Sequence, residues 1–122
     1  GFRLDEYSTV AGCHNEMELT EAVAKRLKEG NKVDGMFGRN DMVACIAMNA
    51  AMSLGYKVPQ DLGVIGFDNS SISQFCSPRL STMEMQREEI SRTAIQMIMD
   101  MVDGKRPENA EFRTNLIVRE ST

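Results

Sequence analysis

The sequence of 122 residues has no tryptophan, only three cysteines and no excess of basic residues. Cys13, Cys45 and Cys76 are widely spaced and form no C-x-x-C pair, so we expect free thiols, with no disulfide framework and no zinc site. The formal net charge is −4, and no basic cluster occurs. A chain of this composition lacks the positive surface that contacts to nucleic-acid phosphates require, so this part of the protein is not expected to bind DNA itself.

Long apolar segments are also lacking. No apolar run approaches the about 20 residues that span a bilayer, and no charged, apolar leader opens the chain. Hydrophobic residues make up 42% of the sequence and charged residues 26%, which is typical of a globular domain with a core. We therefore expect a cytoplasmic domain without membrane contact.

Strand and helix patterns alternate along the chain. Strands are predicted at residues 9–13, 33–38, 62–67, 83–86 and 112–118, and helices at residues 15–29, 41–54, 72–76 and 87–103. Asn15 with Glu18 three positions later is typical of a capped helix start, and Gly30 is expected to end that helix. The alternation predicts an α/β fold with parallel strands joined by right-handed crossovers.

The helix at 41–54 is almost uncharged, and its apolar residues surround it instead of forming one stripe. Such a helix is buried on several sides, and one of those sides is a candidate subunit contact. The ten methionines of the chain are concentrated in this helix and the one at 87–103, and we interpret them as flexible core residues instead of metal ligands.

Polar side chains follow the predicted strands at three places. Asn40, Asp68 and His14 each come after an apolar run. In open parallel sheets ligands bind beyond the carboxyl ends of the strands, so these side chains are expected to converge on one crevice. A carboxylate and an amide together accept from and donate to hydroxyl groups, which favours a polyhydroxyl ligand such as a sugar.

A long stretch of the chain carries a family resemblance. The segment "VDGMFGRNDMVACIAMNAAMSLGYKVPQDLGVIGFDNSSISQFCSPRLSTMEMQ" and the terminal "LIVREST" resemble the effector domains of LacI/GalR-type transcriptional repressors. The resemblance implies a parallel three-layer αβα subdomain of the periplasmic-binding-protein-like type I fold. It further implies that residues 1–122 are the second (C-terminal) effector-binding subdomain, that the helix at 87–104 packs on a first subdomain outside this sequence, and that operator DNA is bound by an N-terminal domain also outside it.

The resemblance also implies roles for single residues. Asn40 and Asp68 become the pair that binds effector hydroxyls, and Gln86 becomes either an effector contact or a hinge amide bonded to the backbone. His14 stands where the family often has a stacking aromatic ring, although a lone histidine is more often a surface residue. Asp41 is implied to cap the second helix by accepting from its free N–H groups.

A homodimer and its interface complete the expectation. The resemblance, with the uncharged faces of residues 41–54 and 72–76, places Cys45, Met48, Met52 and Phe75 at a twofold contact. The favoured function is therefore the sugar-sensing part of a LacI-type regulator, whose closure around an effector alters operator binding. The alternative is a periplasmic sugar-binding protein of a transport system.

Enzyme readings find little support in the sequence. The "GVIGF" stretch lacks the lysine and hydroxyl residue of a phosphate loop, and no G-x-S-x-G motif occurs. Asp61 and Asp68 lie at opposite ends of one predicted strand and cannot act as a catalytic pair. We expect no catalytic residues, no metal and no cofactor.

Overall fold

The computed structural model describes residues 9–29 and 32–122, which form a mixed α/β domain. The predicted α/β class is confirmed, and none of the described helices is long and apolar enough to cross a membrane. The elements in chain order are α1 (Glu16–Lys28), β1 (Gly35–Phe37), α2 (Asp41–Ser53), β2 (Gly63–Phe67), α3 (Ile72–Phe75), β3 (Ser81–Met85), α4 (Arg87–Val102) and β4 (Thr114–Ile117).

The strands form one sheet in the order β1-β2-β3-β4. The pairs β1–β2 and β2–β3 are parallel, as predicted, but β4 is antiparallel to β3. The prediction of parallel strands throughout is wrong for β4, because the chain leaves β3 at Met85 and returns opposite it at Thr114. The strand predicted at residues 9–13 is also wrong, since these residues adopt no regular structure.

The ends of two helices follow local sequence signals. Asn15 caps α1, where its Oδ1 accepts from the backbone N of Glu18 at 2.9 Å, while the Glu18 carboxylate accepts from the backbone N of His14 at 2.8 Å. At the end of α2, Gly55 has φ +93° and its N–H donates to the carbonyl of Met52. Both boundaries confirm the prediction, whereas Gly30, expected to end α1, lies outside the described residues.

The hydrophobic core lies between α1, α2 and one face of the sheet. Alanines and larger apolar residues of α2 pack on β1 and β2, and α1 packs on the other side of α2. Fully buried members of the core include Met48, Ala51, Leu62, Val64 and Leu80. The prediction that α2 is buried on several sides is confirmed by this arrangement.

Two of the predicted dimer contacts belong to this core. Cys45 is only 3% exposed and Met48 is 0% exposed, so neither side chain reaches a surface where another subunit could touch it. Their assignment to an interface was wrong, because an uncharged helix does not show which of its sides faces its own sheet. Met52 and Phe75, in contrast, are 38% and 85% exposed, and for them the contact stays a prediction.

The buried Cys45 thiol has an unusual proton affinity. Burial, the adjacent thiol of Cys76 and the charge of Asp41 together raise its pKa to about 12, and burial is the largest of these causes. Cys76 itself donates to the carbonyl of Ser73 at 3.6 Å. All three cysteines are free thiols, as predicted.

The second face of the sheet and α4 carry apolar residues that the described part of the chain leaves open. Phe37 packs edge to face on Phe67 but remains 64% exposed. No residue of α4 is buried, and its exposed apolar side chains are Ile95, Ile98, Met99, Met101 and Val102. The described residues therefore do not build the outer layer on this face of the predicted three-layer arrangement.

Candidate functional site

Polar residues follow three neighbouring parallel strands at the same edge of the sheet. Asn40 lies three residues after β1, Asp68 follows β2 directly and Gln86 follows β3 directly. Because β1, β2 and β3 are adjacent and parallel, their carboxyl ends meet at one edge. The structure thus brings Asn40, Asp68 and Gln86 to the same side of the domain.

His14 is placed differently from these three residues. No strand precedes it among the described residues, and it lies exposed at the start of α1, where its backbone N donates to Glu18. No described contact connects it to Asn40 or Asp68. Its ligand-binding role therefore rests on the sequence alone.

At the start of α2 the helix cap is Asn40, although Asp41 was expected in that role. Asn40 is the helix cap, since its Oδ1 accepts from the backbone N of Val43 at 2.9 Å. Asp41 is already helical and fully buried, and its carboxylate turns away from the helix to accept from Ser70 and Thr82. The prediction that Asp41 caps the helix is wrong.

The side-chain groups of Asn40, Asp68 and Gln86 have few partners in the described part of the domain. Within residues 9–29 and 32–122, no side-chain hydrogen bond engages the Asn40 Nδ2, the Asp68 carboxylate or the Gln86 amide. Asn40 and Asp68 are half-buried and Gln86 is exposed. A donor, an acceptor and an amide that is both are thus available along this edge for a hydroxyl-bearing ligand.

The loop of residues 68–70 adopts a left-handed conformation. Asp68 has φ +99° and Asn69 has φ +47°, which side chains other than glycine adopt only when their surroundings hold them. The backbone N of Asp68 donates to the carbonyl of Met83 at 2.8 Å, and that of Asn69 donates to Thr82 Oγ1 at 3.3 Å. On the other side, the Arg87 guanidinium donates to the carbonyl of Asp68.

Asn69 is held by its side chain as well. Its Nδ2 donates to Glu84 Oε1 at 2.7 Å, and its Oδ1 accepts from Arg119 Nη2 at 2.6 Å. Arg119 also donates to Ser73 Oγ at 3.0 Å and to the carbonyl of Leu80 at 2.7 Å. Arg119 was not predicted from the sequence, although it lies in the terminal "LIVREST" segment that carries the family resemblance.

The edge is open instead of enclosed. A shallow depression at the start of α4 is lined by Gln86, Arg87, Glu88, Glu89 and Arg92, and it includes neither Asn40 nor Asp68. No group of three or more metal-ligating side chains occurs in the part of the chain that the structure describes. The described residues at this edge therefore form one open surface.

Comparison with known proteins agrees with this geometry. A family described as "Periplasmic binding protein-like domain" matches residues 4–122. The HTH-type transcriptional repressor CytR of Escherichia coli K12 is 38% identical over 89 residues, which are 71% of this chain and 26% of the repressor. The chain thus spans about a quarter of the length of this curated relative.

Solved structures of LacI-family regulators share the fold. A sugar-binding regulator from Escherichia coli, complexed with phosphate, has a TM-score of 0.80 and 30% identity over 98% of this chain and 44% of its own. A LacI family regulator from Arthrobacter sp. FB24, complexed with lactose, has a TM-score of 0.73 and 31% identity over 89% of this chain and 42% of its own. With its family match over nearly the full length, its sheet and its strand-end residues, this chain belongs to the periplasmic binding protein-like domain family and is homologous to LacI-family transcriptional repressors.

Proposed function

We propose that this chain is the second effector-binding subdomain of a LacI-type transcriptional regulator, and that its effector is a sugar. The observation that carries the proposal is the open edge where the Asp68 carboxylate, the Asn40 Nδ2 and the Gln86 amide have no side-chain hydrogen bond to another described residue. A sugar presents hydroxyl groups that donate and accept in the same way. The solved Arthrobacter relative is complexed with lactose, which supports this class of ligand.

The open side of the site calls for a second subdomain. The Gln86 amide stands at the point where the chain leaves β3 for α4, and α4 buries none of its residues. Several large apolar side chains on α4 each forfeit about 1.5 to 3 kcal/mol of burial if they stay in water. We assign α4 to the first subdomain of the whole protein, which closes the site from the opposite side.

Closure around the effector is the proposed signal. The ligand binds the closed arrangement more tightly than the open one, because it makes hydrogen bonds to both subdomains only when they are closed. The closed arrangement then changes the position of the domain that binds the operator. The matched relatives are transcriptional regulators and not enzymes, and the repressors among them support operator binding by an N-terminal domain of the whole protein. A cytoplasmic location follows from this role.

A homodimer is part of the proposal, with an interface that keeps Met52 and Phe75 of the expected contact and adds Met42. Met42 and Met52 on α2 are 53% and 38% exposed, and Phe75 on α3 is 85% exposed. Large apolar side chains exposed on neighbouring helices are costly to leave in water and typical of a subunit contact. In the full-length protein, Phe75→Glu should give monomers in sedimentation, whereas Met17→Glu on α1, also at an exposed methionine, should not.

The ligand assignment is tested with two matched variants of the full-length protein. Asp68 follows β2 and Asp61 precedes it, so Asp68→Ala and Asp61→Ala make the same change in charge at opposite ends of one strand. Titration with lactose, cellobiose, D-galactose and D-ribose should find a sugar whose affinity falls about tenfold or more in Asp68→Ala, because the unpaired hydroxyls cost about 1 to 3 kcal/mol.

The same sugar should change operator affinity in the parent and in Asp61→Ala. Electrophoretic shift of operator DNA with and without sugar measures this effect. Equal sugar affinity in both variants, or no sugar binding at all, would remove the proposed ligand class.

A further inference from the structure

Asp41 is a fully buried carboxylate that the proposed ligand site does not use directly. Its Oδ2 accepts from the backbone N of Ser70 at 2.6 Å and from the Ser70 hydroxyl at 2.8 Å. Its Oδ1 accepts from the Thr82 hydroxyl at 2.5 Å. A buried carboxylate needs such donors, and here all of them come from outside its own helix.

Thr82 connects Asp41 to the loop of residues 68–70. Its hydroxyl donates to Asp41 and also accepts from the backbone N of Asn69 at 3.3 Å. Asp41 thus holds the N–H of Ser70 directly and orients the hydroxyl that holds the N–H of Asn69. These are the two amides that follow Asp68.

The loop needs such fixing because its conformation is unfavourable by itself. Left-handed backbone at Asp68 and Asn69 is unfavourable for residues other than glycine and persists only when surrounding bonds define it. The direction of the Asp68 side chain follows from this backbone. We propose that Asp41 is a positioning residue that, through Ser70 and Thr82, sets where the Asp68 carboxylate meets the effector; the ligand part of this inference rests on the proposed function.

The first test needs no ligand and uses the full-length protein. Thr82→Val keeps the shape of the side chain but removes the hydroxyl, so amide hydrogen exchange at Asn69 should become about tenfold faster. Thr82→Ser restores a hydroxyl and should return the exchange rate toward that of the parent. Asp41→Asn should speed exchange at both Asn69 and Ser70, and the control Asp61→Asn at neither.

A purely structural role makes a different pattern. If Asp41 only stabilised the fold, exchange in β2 and α2 would rise as much as in the loop, and Thr82→Ser would behave like Thr82→Val. Either result, or unchanged exchange at Asn69 in Thr82→Val, overturns the proposal.

The second test is a double-mutant cycle with whichever of lactose, cellobiose, D-galactose and D-ribose binds. Asp41→Asn should weaken that sugar about tenfold when Asp68 is present, and should add little once Asp68→Ala has removed the carboxylate being positioned. Equal weakening in both backgrounds contradicts positioning through Asp68. If none of the four sugars binds, the proposed function fails, while the exchange measurements still decide the role of Asp41 in the loop.

Discussion

Gly66→Ala is the substitution that most directly probes the contact between α2 and β2. Gly66 is buried in the middle of β2, and a Cβ there would overlap the Asp41 carboxylate and lie 2.8 Å from Leu80 Cδ2 and 3.1 Å from Asp41 Cα. The φ of Gly66 is not in the left-handed region, so the glycine is required for space and not for backbone freedom.

The expected cost has two parts. Overpacking a close-packed core costs about 1 to 3 kcal/mol, and pushing the Asp41 carboxylate away from Ser70 and Thr82 leaves buried donors unpaired at about 1 to 3 kcal/mol more. The sum of about 2 to 6 kcal/mol is a large share of the about 5 to 15 kcal/mol that stabilises a domain. Gly66→Ala should therefore lower the free energy of local opening in β2 by several kcal/mol.

Gly63→Ala is the matched control in the same strand. A Cβ at Gly63 meets its nearest atoms, the carbonyl oxygens of Asp34 and Ser121, at 3.9 Å, which is ordinary contact. Its effect should stay within about 0.5 kcal/mol. Native-state hydrogen exchange of the β2 amides in the full-length protein measures both variants. If Gly66→Ala costs no more than Gly63→Ala, the packing of Asp41 against β2 is not as described.

Three further predictions concern single side chains. The pKa of Cys45 is raised from 9.0 to about 12 in the folded state, so its contribution to stability is full below about pH 9 and is lost as the pH rises toward 12. Between pH 8 and 10.5 the free energy of unfolding should therefore fall less in Cys45→Ala than in the parent protein. Asn15→Ala should destabilise α1 by about 1 kcal/mol, seen as faster exchange of the Glu18 amide, because the cap is removed. The backbone N–H and the guanidinium of Arg79 lower the pKa of Glu120, so their hydrogen bonds weaken as the pH falls through that pKa. In Arg79→Ala, carboxyl-carbon NMR titration should show the pKa of Glu120 rising part of the way to its ordinary value, because the backbone donor remains.

Local signals explain what the sequence could predict. Asn15 and Glu18 are three residues apart, and the bonds that start α1 involve only neighbouring residues. Gly55 ends α2 for an equally local reason, the left-handed turn that glycine adopts most easily. Helix ends of this kind are decided by residues within one turn of each other, so residue types and their spacing are enough to predict them.

Tertiary partners explain what the sequence could not. Asn40 and Asp41 are both suited to cap α2, and the choice between them is made by Ser70 and Thr82, which are 29 and 41 residues from Asp41 along the chain. In the same way, the apolar residues around Cys45 in the sequence predicted that it is buried, but not whether its own sheet or a second subunit covers it. For the candidate site, strand order places Asn40, Asp68 and Gln86 on one edge, whereas the bonds of Arg119 to Asn69 depend on the return of the chain through β4.

The connection of α4 to the sheet has a mechanical consequence. Its start adjoins β3 through Gln86, and residues 103–113 connect its end to β4. Because β3 and β4 lie side by side with Met85 opposite Thr114, a pull on α4 loads both strands at the same end. The load reaches Asp68 through Met83, which pairs with Leu116 in β4 and whose carbonyl accepts from the Asp68 amide. Whatever body holds α4 is thus connected to Asp68 by main-chain hydrogen bonds and by the guanidinium of Arg87, the first residue of α4, which donates to the Asp68 carbonyl. Side-chain changes along α4 after Arg87 can alter how firmly that body holds the helix, but they leave the main-chain part of the connection in place.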